Sequence, residues 1–288
     1  MKDVSILVNT CDLYEDAWNP FFRLLQIQWK DCPKKVYLNT ETKKYTDPYF
    51  DVVTVNSSPG DKWGARLLKA IDKIDTEYVF FFLEDFFIQK PVNTDILETA
   101  ISCLDNEKDV GAIRFVPHVS ASWCEKGTET YGYFSFIPLS WKARNTTMPS
   151  LWRKDYLKKI TRAYESPWEF ETFGSVRSAK MPYRVLVQNE SAPIAVYIDY
   201  QIKYGYGISK RRWLKNNKEL FDKYGIVVDF SRLGWFEESD APQKVTGLRR
   251  SKKEKLLLPF TDPKLFAKIL KAEFKQKWFY ISHIRNRF

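Results

Sequence analysis

The sequence predicts an α/β protein built on a mixed sheet flanked by helices, and three observations carry that expectation. Short apolar runs rich in β-branched and aromatic residues alternate with stretches of helical spacing through the first half of the chain. Those runs are apolar on both faces, as the strands of a parallel sheet covered on two sides are. Further along, aromatic, alternating, Gly-containing stretches replace them, which turns the second half toward mixed sheet.

The elements follow in order. Residues 4–9 form an apolar run without helical spacing, a buried first strand that exits into Thr10, Cys11 and Asp12. Residues 18–29 carry Phe21, Phe22, Leu24, Leu25 and Ile27 closely enough for a helix, with Pro20 tolerated in its first turn. Strands are expected over 36–38, before Asn39, and over 52–55. Asn56 to Gly60 then opens a loop into the helical pattern Trp63, Leu67, Leu68, Ile71, Ile74. The fourth strand, 78–83, is the longest apolar run and stops at Glu84 and Asp85. A fifth strand is expected over 110–116, a strand or hairpin over 131–141, a helix through Leu151, Trp152, Tyr156, Leu157 and Ile160, and a strand over 183–187. The cationic cluster Lys210, Arg211 and Arg212 precedes a helix over 213–224.

Composition bounds the possibilities. With 288 residues, 44% hydrophobic and 16% aromatic, the chain is long enough for a sizeable core and too apolar for chain-wide disorder. No apolar run approaches the roughly 20 residues needed to span a bilayer. The four cysteines are dispersed, and the N-terminal stretch has no leader-like pattern, which predicts a reduced, cytoplasmic setting. The two histidines, His118 and His283, have no cysteine or histidine at ligand spacing, which argues against zinc sites and histidine triads. The net charge of +10 is local: from Gln243 onward 13 Lys/Arg face three acids, and the rest is balanced.

Residues 1–236 therefore read as the main domain and 237–288 as a basic linker and helix. In the latter, Phe266, Leu270, Phe274, Trp278 and Ile281 form an apolar stripe beside Lys264, Lys268, Lys271 and Lys275. A basic amphipathic helix of this kind rests on an anionic membrane surface or docks on the main domain.

In an open parallel sheet, ligands bind beyond the carboxyl ends of the strands. The polar residues there are Asn9, Thr10 and Asp12 after the first strand, Asn39 after the second, and Glu84 with Asp85 after the fourth. Carboxylates so placed suit Mg2+ or Mn2+ bridged to nucleotide phosphates, or they simply end a strand. Trp63 is a core staple or a ligand platform. Arg66, one turn on, reaches a phosphate or pairs with an acid. Lys210, Arg211 and Arg212 contact a diphosphate or form a solvated face.

The first strand and its exit, the helix bearing Trp63 and Arg66, and Tyr78 to Phe86 (YVFFFLEDF) together resemble the nucleotide-sugar half of a GT-A-type, family-2-like bacterial glycosyltransferase. That resemblance implies a donor-binding half over about 1–118 and an acceptor half over about 119–236. It implies a nucleoside site on the loop after the first strand, and Mn2+ or Mg2+ held by an Asp-x-Asp motif after the fourth. Leu83 here replaces the motif's first acid, leaving Asp85 as metal ligand with Glu84 as a helper. Ser150 to Tyr156 (SLWRKDY) followed by Ser166 to Ser175 (SPWEFETFGS) and Arg177 resembles the acceptor side of surface-polysaccharide enzymes such as those of capsule and lipopolysaccharide. The resemblance implies Glu171, or alternatively Glu169, as catalytic base, with Trp152, Trp168 and Phe170 shaping the acceptor pocket. The implied activity is inverting transfer from a nucleotide-sugar to a glycan or lipid-linked acceptor at the inner membrane face. The rivals are a non-catalytic sugar- or nucleotide-binding protein and a nucleic-acid binder using the basic tail; the charge-balanced body speaks against nucleic acid as a partner.

Overall fold

A computed structural model describes residues 3–116, 130–139, 144–189, 194–195, 206–240 and 263. The expected linker and amphipathic C-terminal helix fall almost wholly outside these residues. Met1–Glu237 forms one compact unit and Glu238–Phe288 a second.

Among the described residues nine strands form one sheet: β1 (Val4–Asn9), β2 (Lys35–Thr40), β3 (Asp51–Asn56), β4 (Tyr78–Phe82), β5 (Val110–Arg114), β6 (Thr130–Tyr131), β7 (Phe134–Phe136), β8 (Ser150–Arg153) and β9 (Arg184–Gln188). Their spatial order is β3-β2-β1-β4-β8-β5-β9-β7-β6. The first four run parallel, β8 is antiparallel to both β4 and β5, β9 is parallel to β5, and β7 returns antiparallel to β9. Two further strands, β10 (Ile208–Ser209) and β11 (Arg212–Trp213), make a separate hairpin.

The period-2 alternation of each strand sorts its side chains between two cores. Val4, Ile6, Val8, Tyr78, Phe80 and Phe82 enter one, together with α1 (Trp18–Gln28) and α3 (Thr94–Asn106). Leu7, Val79 and Phe81 enter the other, beneath α2 (Trp63–Lys73), α4 (Lys154–Ile160) and α5 (Pro167–Ser178). Helix α6 spans Asn216–Lys223. Burial on both sides explains why YVFFF is apolar without a break. The start of α2 lies so close to the α4–α5 connection that a Cβ on Gly64 would sit 1.9 Å from the Arg162 carbonyl oxygen. Only glycine leaves room for that approach.

Two expectations need correction, and one element has to be added. Leu151 and Trp152 do not open a helix. They lie in β8, where Trp152 is paired with both Val79 and Ala112, and the helix begins only at Lys154. A short apolar run fits either period, and the gap between β4 and β5 decides it. Trp213 likewise belongs to β11, with the helix starting at Asn216. Helix α3 is the added element: the Asn93 side chain caps the Ile96 N–H, and Ile96, Leu97, Ala100, Cys103 and Leu104 are buried along one stripe.

Candidate active site at the carboxyl edge of the sheet

The parallel register brings the carboxyl ends of β1, β2 and β4 to one edge, where Val8 pairs with both Leu38 and Phe82. Asn9 and Asn39 are adjacent there and buried, the Asn39 amide donating to Asn9 Oδ1 at 2.5 Å. Thr10 accepts the Trp18 indole N–H at 3.0 Å. Arg66, from the second turn of α2, pairs with Glu41 at 2.9 Å, so of its two expected partners the acid is the one in place. Glu41 also takes the Asp12 backbone N–H at 3.1 Å, and sits two residues beyond Asn39 at the same strand exit.

Asp12 is not open to a nucleoside. Its carboxylate accepts the N–H groups of Glu41, Thr42 and Lys43 and the Thr42 hydroxyl, which pins the loop after β2. Burial opposes ionisation, but the Thr42 hydroxyl and these backbone donors outweigh it and hold the carboxyl below its ordinary value.

Glu84 and Asp85 follow β4. Glu84 is 6% exposed. Burial first, and then the neighbouring Asp85 charge, push its carboxyl upward, against a hydrogen bond with Thr10 and the charge of Arg66. Asp85 is half-buried; burial pushes it up too, against the N–H groups of Ile208 and Gly207, the former 3.3 Å from Oδ2. The same field reaches Cys11, raised to about 11 by burial and then by Glu84, and Tyr14, raised to about 12 by burial and then by Glu84. The Arg211 charge partly counters the shift at Tyr14. Leu83, at the position of the missing acid, packs against both cores.

A raised carboxyl in the folded state costs stability at high pH. The unfolded carboxyl ionises near its ordinary value of about 4.3. As pH climbs from there through the raised folded value, the unfolded state binds fewer protons and stability falls. Glu84→Gln removes that loss, so between pH 5 and pH 8 the thermal midpoint of the variant is expected to fall less than that of the wild type. Scanning fluorimetry at the two pH values reads the difference, and parallel behaviour of the two proteins refutes it.

The β10–β11 hairpin is locked over the end of β4. Gly207 permits it: a Cβ there would lie 2.4 Å from the Phe87 ring and 2.7 Å from the Asp85 carbonyl oxygen. Phe86 stacks near Tyr206, Phe87 on Trp213, and Asn217 donates to the Gly207 carbonyl at 2.5 Å. The connecting residues Lys210 and Arg211 have φ of 47° and 66°. A two-residue turn of this hand normally takes Asn-Gly. Placing two long cations in it costs about 1–2 kcal/mol each, and both side chains are exposed. Arg212, on β11, approaches Gly234 instead.

Helix α5 begins with a capped turn. Ser166 accepts the Glu169 N–H, the Glu169 carboxylate accepts the Ser166 N–H at 2.8 Å, and Pro167 takes the first turn. This capping box occupies Glu169. Glu171 has different partners: its Oε1 receives the Thr147 backbone N–H at 2.7 Å and the Thr147 hydroxyl at 2.8 Å. Trp152 and Phe170 are each 1% exposed and lie in the second core, so neither offers a surface to an acceptor. Trp63 packs on Phe170 with ring centroids 5.3 Å apart, a staple between α2 and α5 rather than a platform. Trp168, 76% exposed, keeps its indole in solvent one turn before Glu171.

The donor chemistry of this edge is that of hard carboxylate oxygens. Among the described residues no group of three or more His, Cys, Asp or Glu could cage a metal ion. Glu84 and Asp85 offer hard oxygen donors, the type that Mg2+ and Mn2+ take.

The topology defines an α/β protein whose parallel strands bring their carboxyl ends to one edge, the place where open α/β sheets bind ligands, and the element order implied by the GT-A-type resemblance is present. No family model matches the chain, and no curated protein does. Similar solved structures include S. aureus TarS 1–349 in complex with UDP-GlcNAc, at 17% identity over 67% of this chain and 60% of that one, TM-score 0.41. Others are a mannosyltransferase from Pyrobaculum calidifontis in complex with GDP-Man and Mn2+ (16% identity, 71% and 59% covered, TM-score 0.46) and a cytidylyltransferase from Leptospira borgpetersenii (14%, 78% and 96%, TM-score 0.42). The chain spans about 60% of the TarS 1–349 structures it resembles.

Proposed function

We propose that this chain is a nucleotide-sugar-dependent glycosyltransferase that transfers a sugar, with inversion, to a glycan or lipid-linked acceptor in bacterial surface polysaccharide assembly. One observation supports the reading: Asn9, Thr10, Asn39, Glu84 and Asp85 lie at the exits of β1, β2 and β4, and the segment that carries Thr147 leads into β8 from the same end of the sheet. Residue Ser150 of β8 is paired with Phe81 of β4, so the segment bearing Thr147 enters the sheet at the end where β4 runs out into Glu84 and Asp85.

In this reading the nucleoside lies over the exits of β1 and β2, against Asn9, Thr10 and Asn39, with Asp12 holding the loop that shapes its pocket. Asp85, helped by Glu84, would hold Mn2+ or Mg2+ against the diphosphate; bound there, the ion offsets the charge that builds on the leaving group. Lys210 and Arg211 would face the same charge, with Arg66 held on Glu41 at the rim and Arg212 supporting the hairpin. Glu171 takes the proton from an acceptor hydroxyl while that oxygen bonds to the anomeric carbon. The bond from that carbon to the phosphate oxygen breaks, and its electron pair leaves with the diphosphate. One base and no covalent intermediate give inversion. Trp168 would stack on the acceptor sugar, since an exposed indole presents a broad apolar face. The described residues contain no helix long and apolar enough to cross a membrane; the reading puts the enzyme at the cytoplasmic face, peripheral through its basic C-terminal segment.

Ligand-observed NMR or thermal shift with UDP, GDP, CMP, dTDP and their sugar conjugates, each with and without Mn2+, tests the proposal. A selective, Mn2+-enhanced response to one nucleotide is expected. Silence across the panel, or tight salt-sensitive binding to DNA or RNA instead, overturns it.

A further inference from the structure

The geometry points to Thr147 as a positioning residue that sets the orientation of the Glu171 carboxylate for proton removal. This inference rests on the reading of Glu171 as base given above. A glutamate has a broad, nearly two-fold terminal torsion, so an unsupported carboxylate at a helix surface samples many orientations. Here two donors from one residue, the Thr147 N–H and Oγ1–H, converge on the same oxygen, Oε1. None of the hydrogen bonds among the described residues ends on Oε2. The carboxylate is thus held by one oxygen and presents the other, as a base that must meet a hydroxyl in one direction requires.

Thr147 is itself firmly held. Arg144, fully buried, donates to Ser178 Oγ at 2.7 Å and to the carbonyl oxygens of Ile137 and Tyr183, both at 2.6 Å. Asn145 reaches Ser175 Oγ and the Gly174 carbonyl, each at 2.9 Å, and Tyr156 closes on Asn145 Oδ1 at 3.1 Å. Burying a guanidinium among neutral oxygens is costly, yet here it serves to fix the path of residues 144–147 along α5. Ser175, one turn after Glu171, also donates to the Glu171 carbonyl at 2.5 Å, so the helix turn that carries the carboxylate is tied to the same segment. A staple of α5 alone would need no donors on the carboxylate, since Arg144 and Asn145 already supply it.

The test uses the full chain. Thr147→Val keeps the backbone N–H and the side-chain shape and removes only the hydroxyl; Thr147→Ser keeps the hydroxyl. Nucleotide release is followed from UDP-GlcNAc and GDP-mannose, extended to CMP- and dTDP-sugars, with thermal midpoints measured alongside. Thr147→Val is expected to lower kcat about tenfold while the donor KM stays within twofold, and Thr147→Ser to restore most of the rate. Unchanged kcat in Thr147→Val overturns the inference. So does a parallel change of kcat, KM and thermal midpoint that Thr147→Ser does not rescue, because that marks a purely structural staple. Glu171→Gln run in the same assay separates the two levels: full turnover by that variant, or no turnover by wild type on any donor, removes the base reading itself, whereas a dead Glu171→Gln with an unaffected Thr147→Val removes only the role of Thr147.

Discussion

Glu171→Gln is expected to lower kcat by about 10²–10⁴-fold, the usual contribution of a positioned general base, with donor affinity nearly intact. The amide keeps the shape of the carboxylate, and its oxygen still accepts both Thr147 donors, so α5 and the β8 approach stay in place. What disappears is the capacity to take a proton. Glu169 supplies the contrast. Its carboxylate already caps α5 by accepting the Ser166 N–H, so Glu169→Ala is expected to act on stability, by about 1 kcal/mol, far more than on rate. Steady-state kinetics and thermal midpoints for both variants decide the matter. If Glu171→Gln transfers sugar at the native rate and the Glu169 variant does not, the base lies two residues earlier.

The second large effect is expected at Asp85. In Asp85→Asn the amide oxygen continues to accept the Ile208 N–H, now made by Asp85 Oδ2 at 3.3 Å, so the β10–β11 hairpin remains seated on Gly207 and Phe87. The negative charge is gone, and the other oxygen has become an amine that repels a cation. The Mn2+-dependent part of nucleotide affinity should therefore fall by tenfold or more, about 1.4 kcal/mol or above, while metal-free binding changes little. Calorimetric titration of the selected nucleoside diphosphate with and without Mn2+ measures both. An Asp85→Asn protein that keeps the full Mn2+ response would move the metal elsewhere on the edge.

Much of this architecture is legible in the sequence because its signals are local. The parallel strands announce themselves through unbroken apolar runs, and Ser166, Pro167 and Glu169 mark the start of α5 within four residues of one another. The rule that ligands gather past strand ends points to Asn9, Asn39, Glu84 and Asp85, and the parallel register brings those strand ends to one edge. The same rule applied one step further would have included Glu41, and the capping pattern from Asn93 would have revealed α3. The β8 strand was beyond reach, because Leu151 and Trp152 fit a helix equally well until β4 and β5 are seen on either side of them.

By itself, then, the sequence determined the apolar runs of the parallel strands, the helical spacing of α1 and α2 and the acidic exit of β4, since each depends on residues a few positions apart. Tertiary structure alone decided which polar groups are free to act. Asp12 is consumed by Thr42, Arg66 faces Glu41, Phe170 turns into the core against Trp63, and Glu171 is held by Thr147, partners that lie 24 to 107 positions away along the chain. A side chain's chemistry is set by what surrounds it in space, through burial and hydrogen bonding, and contacts over such separations leave no periodic trace in the order of the residues.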